Sequence, residues 1–586
     1  QSPRLRVMTA RTRSQHARSG GPPAEGAPVE TADPEVVDDS DDAAAQSALG
    51  GELIATLDPL VMFESLARTV APMDLAKASL GLALKVPQIL LGLHDSSIPL
   101  KDKRFQDDTF VGNPVYRRAA ASYTLWEQEM MALVERNDVD WRTRERAKMV
   151  MAAITTALAP TNSLPGNPEA IKLAFQTGGA SLRAGFLNFV TDLMMNRGYP
   201  AQVDRSAFVV GYNLAVTPGW VIHSNPMFEL IQYTPTTATV SGTPLLLLPP
   251  PVNKYYFWDL APGRSLIEYA VGRGIAVYTI VWRDPREDDG HWGVDAYLEA
   301  AREAIDVVLS VSGAASAHLF GDCSGGMLLA MLLAAGAAEE DTRIRTGTHG
   351  VTVVDFGEPG GIGVAASDRG LERVRQRAER AEVISAADIA STFVWMRPND
   401  LVWRYLVDQW LLGQKPPAFD IMYWNADGQG MPAQFAYDMT RMSLDNSLLE
   451  PGAMTVLGAP IDLRSVDVPT YHIAGMSDHI SPWKGCYAGA AAMGGDATFV
   501  LTPTGHVQSI IYPMGKTRAA FWSGPVLDGD PDAWRARATH TEDSWWEHWV
   551  DWLIARGEPE RPAPLTPGSI THPPIAPAPG RYVHGE

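Results

Sequence analysis

Gly321-Asp322-Cys323-Ser324-Gly325-Gly326 decides how this chain is read. The apolar run Ala317 to Phe320 precedes it, and a helix-forming run, Met327 to Ala335, follows. A strand that turns sharply into a helix, with glycines two positions either side of a nucleophile, is the nucleophile elbow of α/β-hydrolase sheets. Glycine suits both flanks because backbones pass there at distances that a Cβ would block. The nucleophile is a thiol where a serine is usual, which points to thioester chemistry rather than ester hydrolysis. The plain alternative is a buried cysteine in a glycine-rich turn, so the motif needs support from the rest of the chain.

Working outward, Pro244 to Pro250 encloses a pure leucine run, the pattern of a strand buried on both faces of a parallel sheet. Ser265 to Val271 reads as helix, Ile275 to Trp282 as strand, Asp295 to Val311 as helix and Ala317 to Asp322 as the strand feeding the elbow. Val351 to Phe356 and Tyr471 to Gly475 read as further strands, and Ala497 to Leu501 as the last. This alternation predicts an α/β class: an α/β-hydrolase fold with a mostly parallel, doubly wound sheet. It breaks between 357 and 459, a stretch rich in Trp, Met and charge that reads as a helical cap inserted into a catalytic domain over 201–556. Residues 51–200 read as an N-terminal helical domain, with apolar spacings such as Leu60, Val61, Met62 and Leu66, or Trp126, Met130, Met131 and Val134. Ser544 to Arg556 reads as a terminal helix whose Trp545, Trp546, Trp549 and Trp552 pack on one face. Residues 557–586 form a Pro-rich, extended C-terminal tail. Residues 1–50 read as a disordered leader: 21–48 hold eight acids and no base, and five arginines within 1–20 lack the apolar face of a transit peptide.

Bulk composition narrows the class. With 586 residues, 46% apolar and 20% charged, the chain has the composition of a soluble globular protein. A net charge of −20 argues against non-specific nucleic-acid binding, which needs a basic surface. Two cysteines exclude a disulfide framework and predict a reduced thiol at Cys323 in a reducing compartment. Met327 to Ala338 is too short to span a bilayer, and no run of eighteen apolar residues predicts a transmembrane segment. No HExxH or CxxC spacing occurs, so no metal site is expected.

A thiol nucleophile needs a base to take its proton and an acid to orient that base. On this fold the chain order is nucleophile, acid, histidine. Asp478 follows the strand Tyr471 to Gly475, and His506 follows Ala497 to Leu501 and the Thr504-Gly505 turn. Both sit where open α/β sheets place their sites, beyond the carboxyl ends of strands. Taken singly, Asp478 could be a helix cap and His506 a solvated loop histidine. Order and placement together with the elbow favour catalysis. His479 competes with His506 but adjoins Asp478, so its side chain points elsewhere. Cys486 lacks elbow glycines and reads as helix packing. The oxyanion donors expected on this fold are the backbone N–H after the nucleophile, Ser324, and one from the loop after Leu245 to Leu248. That loop begins with three prolines, which cannot donate, so Val252 is the first candidate.

Several stretches together resemble the polyhydroxyalkanoate synthase family, self-sufficient single-subunit type. They are Asn213-Leu214-Ala215-Val216-Thr217-Pro218-Gly219, Phe228 to Tyr233, Pro250 to Tyr256, Arg397-Pro398-Asn399-Asp400-Leu401-Val402-Trp403, Phe419-Asp420 and Tyr423 to Asp427. Ser477-Asp478-His479-Ile480, Ser544-Trp545-Trp546 and Ala578 to Val583 complete the set, which spans roughly residues 105–585. The resemblance implies polymerisation of (R)-3-hydroxyacyl-CoA into storage polyester with release of CoA, CoA being product and no separate cofactor being needed. It maps the family's nucleophile, aspartate and histidine onto Cys323, Asp478 and His506. It also implies a homodimer, a cytoplasmic location and contact with the growing polyester chain and granule surface. A Trp-rich cap (Trp395, Trp403, Trp410, Trp424) would keep water from the acyl-enzyme. One residue departs from the pattern: Asp322 stands where the family usually carries an aromatic, and a carboxylate there would disfavour the neighbouring thiolate. Competing expectations are a thioesterase or polyester hydrolase of the same fold, and a non-catalytic granule-associated protein.

Overall fold

The computed structural model describes residues 58–93, 102–357, 361–393, 402–515 and 519–586. The leader 1–50, Trp395 and residues 397–401 of the Arg397 to Trp403 motif lie outside the described residues. The helical run expected over 51–200 consists mainly of α1 (Pro59–Thr69), α2 (Pro72–Leu91), α3 (Pro114–Glu135), α4 (Trp141–Ala157), α5 (Pro168–Gln176) and α6 (Ala180–Met195). Their starts are written in the sequence. Asp58-Pro59, Asn113-Pro114 and Asn167-Pro168 each put an acceptor side chain at the N-cap and a proline in the first turn. The caps accept from Leu60 N (2.8 Å), Val115 N (2.9 Å) and Ala170 N (3.0 Å) respectively.

One eleven-stranded sheet carries the rest. Its strands are β1 (Gly219–Ser224), β2 (Phe228–Tyr233), β3 (Leu245–Leu248), β4 (Val277–Trp282), β5 (Ala317–Asp322), β6 (Ile344–Gly350), β7 (Thr470–Gly475), β8 (Ala497–Thr502), β9 (Phe521–Pro525), β10 (Thr539–Thr541) and β11 (Ala576–Pro577). Their order is β10-β9-β8-β7-β6-β5-β3-β4-β2-β1-β11. Every pair from β4 across to β8 is parallel, and the flanking pairs are antiparallel. The crossovers run through α7 (Leu266–Gly272), α8 (Val294–Ser312) and α9 (Cys323–Ala338). From β3 the chain steps outward to β4, then returns to β5 on the other side of β3. The winding reverses there, and such a switch point opens a crevice at the strand ends. Cys323 begins α9 at that point.

The α/β-hydrolase fold with a helical cap and a helical N-terminal region is what the structure shows, with three corrections of detail. The strand expected at Val351 to Phe356 is Ile344–Gly350 instead. That strand, IRTGTHG, is polar yet buried, because Thr346 and Thr348 find partners in His318 Nδ1 (2.8 Å) and Trp549 Nε1 (3.1 Å). Satisfied polar groups can sit in a core, so an apolar search passes over them. The sheet also extends past Ala497–Thr502 through β9 and β10, and starts earlier with β1 and β2. The proline-rich tail is extended and docked as an edge: β11 pairs with β1, where a missing N–H costs no ladder bond. Beyond it, the N–H groups of Arg581 and Tyr582 donate to the fully buried Glu229 Oε2 (2.8 and 3.1 Å).

Between residues 357 and 459 the described residues are largely helical, with α10 (Asp368–Glu379), a helix at Ala386–Phe393, α11 (Asp420–Asn425) and α12 (Ala433–Asp445). After β7 and β8 come α13 (Trp483–Ala492) and α14 (His506–Ile510), and α15 (Trp545–Ile554) follows β10.

Candidate active site

The elbow is a strained turn. Cys323 has φ of 47°, the left-handed region that non-glycine residues seldom adopt. A Cβ on Gly321 would lie 2.4 Å from Gly325 O, and one on Gly325 would lie 2.3 Å from Leu248 O at the end of β3. Both flanking glycines are therefore required by backbone approach, which is the reason the motif predicts this geometry. Cys323 is buried and sits at the first position of α9, where the positive end of the helix favours an anionic sulfur. Asp322, also buried, ends β5 opposite Gly350 of β6.

Asp478 and His506 come together. His506 Nδ1 and Asp478 Oδ2 are 2.6 Å apart, with both side chains wholly shielded from solvent. Asp478 Oδ1 accepts from the N–H groups of Ile480 (2.8 Å) and Ser481 (2.9 Å). The carboxylate is thus held from three sides, and its bond to Nδ1–H makes Nε2 the basic nitrogen. Nε2 is buried and has no hydrogen-bond partner among the described residues. His479, half-buried, receives none of these Asp478 contacts. Cys486 is buried in α13 with Sγ 3.6 Å from Ser481 O, and burial, with the Asp478 charge added, pushes its thiol well above the ordinary value. That is a packing cysteine.

His506 has far to come. β8 lies three strands from β5, a lateral offset of about 14 Å at ~4.8 Å per strand. The α14 turn lies back over the ends of the two strands between. A Cβ on Gly475, ending β7, would lie 2.5 Å from Thr504 O and Ser509 Oγ, and one on Gly350, ending β6, would lie 2.7 Å from Ile510 Cδ1. Sequence reasoning missed both glycines; a glycine closing a buried strand was the available signal.

On the other side of the elbow lies the loop 249–254. Ser324, buried, is the second residue of α9, where helix geometry turns N–H groups out of the helix end. Val252 is buried, and its carbonyl accepts from Gln429 N (3.3 Å). The cap is tethered to this loop and to the end of β4: Trp424 Nε1 donates to Lys254 O (2.7 Å), Lys254 pairs with Asp427 (2.9 Å), and Gln429 Nε2 donates to Trp282 O (3.0 Å). Trp424 packs on Phe257, which continues through Trp258 to Phe320 beneath the elbow. Trp410 lies elsewhere, docked on α6 through Phe189 and Asp192. Among the described residues no cluster of three or more His, Cys, Asp or Glu could hold a metal ion, and no helix is long and apolar enough to cross a membrane.

The sheet order and the elbow define an α/β-hydrolase-fold protein, and the general profile of that fold matches residues 251–511. Within that class, the chain belongs to the poly(3-hydroxyalkanoate) polymerase family. The profile described as "Poly-beta-hydroxybutyrate polymerase (PhaC) N-terminus" matches residues 101–270. Poly(3-hydroxyalkanoate) polymerase 1 of Ectopseudomonas oleovorans is 39% identical over 513 residues, 88% of this chain and 92% of that one. Poly(3-hydroxyalkanoate) polymerase 2 of the same organism is 39% identical over 91% of this chain and 95% of its own. The polymerase subunit PhaC of Cupriavidus necator is 38% identical over 84% of each chain.

Proposed function

We propose that the chain polymerises (R)-3-hydroxyacyl-CoA into polyester through a Cys323 thioester, with His506 as base and Asp478 orienting it. The observation that carries this reading is the buried 2.6 Å contact between Asp478 and His506, which leaves Nε2 open to act as a base beyond the same carboxyl end of the sheet as a cysteine elbow. Nε2 takes the Cys323 proton and the thiolate attacks the thioester carbonyl. The N–H groups of Ser324 and Val252 hold the oxyanion. Collapse expels CoA thiolate, which recovers the proton from the imidazolium. The 3-hydroxyl of another unit then gives its proton to Nε2 and attacks the acyl-cysteine, forming the ester and returning Cys323. A thiol suits this cycle because thioester exchange is nearly balanced and keeps the acyl group activated, whereas an ester of serine would be a poorer donor. The thioester supplies the activation, so the cycle calls for no cofactor.

Contact with the hydrophobic product, as at a granule surface, is supported by exposed apolar side chains on α2 (Leu80, Leu84, Leu91) and α6 (Phe186, Met194, Met195). The test is thiol release and polymer formation with 3-hydroxybutyryl-CoA and 3-hydroxydecanoyl-CoA. Both products are expected, and Cys323→Ala and His506→Gln should each lower thiol release by about 10³-fold or more. Free hydroxy acid as the only product would establish a hydrolase, and undiminished release from Cys323→Ala would remove the covalent reading.

A further inference from the structure

The histidine turn is the least self-sufficient part of the site. α14 has five residues, too few for a helix to persist alone. Its final carbonyls have no intrahelical donors. Ile510 O accepts from the backbone N–H of Tyr512 (3.0 Å), and three consecutive residues at the start of α15, 32 to 36 positions along the chain, meet carbonyls at and just beyond that end. Trp545 Nε1–H donates to Ser509 O (2.7 Å) and Trp546 Nε1–H to Ile510 O (3.0 Å). Ser544 Oγ–H donates to Tyr512 O. All three residues are buried, and Ser544 also caps α15 by accepting from Trp546 N (3.2 Å). From inside the turn, Ser509 Oγ donates to Gly505 O (2.6 Å) and contacts Thr502 Oγ1 (2.7 Å).

We infer that Trp545 and Trp546 are positioning residues for His506: their indole N–H groups fix the backbone turn that aims Nε2 at the elbow. This rests on the triad reading of the preceding section. Asp478 fixes one ring nitrogen, but the direction of Nε2 also depends on where the His506 backbone stands. That backbone reaches back across two strands on a single turn, and the two indoles pin the turn's far end. Core packing alone would ask for aromatic rings at 545 and 546; it would not ask for both N–H groups to end on adjacent carbonyls of the same turn. Trp552 makes the contrast. It is buried on the same helix against Tyr471 (5.3 Å), and its Nε1 meets no acceptor among the described residues.

The test follows the first-turnover burst of CoA, whose amplitude counts competent sites and whose rate reads geometry. Trp545→Phe/Trp546→Phe keeps aromatic rings and removes both donors. We expect the burst rate and kcat to fall about 10- to 100-fold, the effect of a displacement near 1 Å, with amplitude and KM held within about twofold. Trp552→Phe should leave the burst rate unchanged whatever it does to the melting temperature. An unchanged burst rate in the double variant, with only amplitude or melting temperature lowered, overturns the inference. His506→Gln separates the two readings. If it retains the burst, the triad reading fails; if it abolishes the burst while the tryptophan variant keeps its rate, only the positioning role fails. Should the double variant not fold, the same comparison is made with each single substitution.

Discussion

Asp322 sits one residue before the thiol and is buried where β5 ends. The α9 N-terminus favours thiolate at Cys323, and an ionised Asp322 would oppose it. Asp322→Asn keeps the shape and removes the opposing charge. Less like charge lowers the thiol pKa, so a larger thiolate fraction exists at any given pH. The CoA burst rate should therefore rise several-fold on the acid side of the profile, and the gain should vanish at high pH, where wild type is already thiolate. Superimposable profiles would mean that Asp322 exerts no field on the sulfur. Asp322→Phe, which puts an aromatic ring in place of the carboxylate, tests shape instead. Its side chain must share space with Ile510 and the close-packed backbone of Gly350, so a changed ratio of rates on short and long acyl-CoA is expected. Identical ratios would confine the effect to charge.

Among the elements, β5, β6 and β7 each carry a buried histidine, His318, His349 and His472, and the last two stack at 4.8 Å. Burial holds His318 at about 3 and His349 at about 4, and sets His472 well below its ordinary value. The unfolded chain binds these protons near pH 6.5 and the folded chain does not. The stability they support is complete above about pH 6.5 and falls toward pH 4, by about 1.4 kcal/mol per pH unit for each group in that window. Melting temperature should drop between pH 6.5 and 5, and His318→Gln should flatten that slope; an unaltered slope would assign acid lability to the carboxylates alone. The same strands show what was legible in the sequence. Leu245–Leu248 and Val277–Trp282 announce themselves by apolar runs, and the elbow by its glycines. Ile344–Gly350 does not, because its Thr346 and Thr348 hydroxyls are satisfied by partners on β5 and α15 that are remote in sequence. Asp478 and His506 were legible from order and placement. The indoles that hold the histidine turn were visible only as aromatic residues, since sequence gives a ring's presence and not the acceptor its N–H reaches.

Across the whole molecule, the helical N-terminal region reaches Asp478, the proposed orienting carboxylate, through two arginines. Arg142 on α4 donates to Phe356 O (3.2 Å), Gly363 O (3.3 Å) and Ser443 O (3.3 Å), and Arg146 donates to Val364 O (2.9 Å) and Ala366 O. The segment they hold continues inward: Ile362 N–H donates to Ile480 O (2.9 Å), and Ile480 N–H is one of the donors on Asp478. A second grip lies on the cap, where Asn188 of α6 donates to Gln409 O (3.0 Å) and Gln414 O (2.9 Å). Burial draws both guanidiniums below the ordinary arginine value, which marks them as desolvated ions held by carbonyls. Charged hydrogen bonds of this kind contribute about 1.5–3 kcal/mol each, so Arg142→Met/Arg146→Met should lower the unfolding free energy by at least about 3 kcal/mol while keeping the aliphatic stems. Stability alone would follow from any interface. Bracing of the catalytic acid predicts more: with the strap at 361–366 released, Ile480 loses its anchor and the Asp478 cradle loosens, so the CoA burst rate per competent site should fall at a temperature where the variant remains folded. Polymer formation and CoA release should decline together, because the proposed cycle uses one base for both acyl transfers. A variant that melts earlier yet turns over at the wild-type rate per site would show that the helical region supports the sheet without bracing its chemistry.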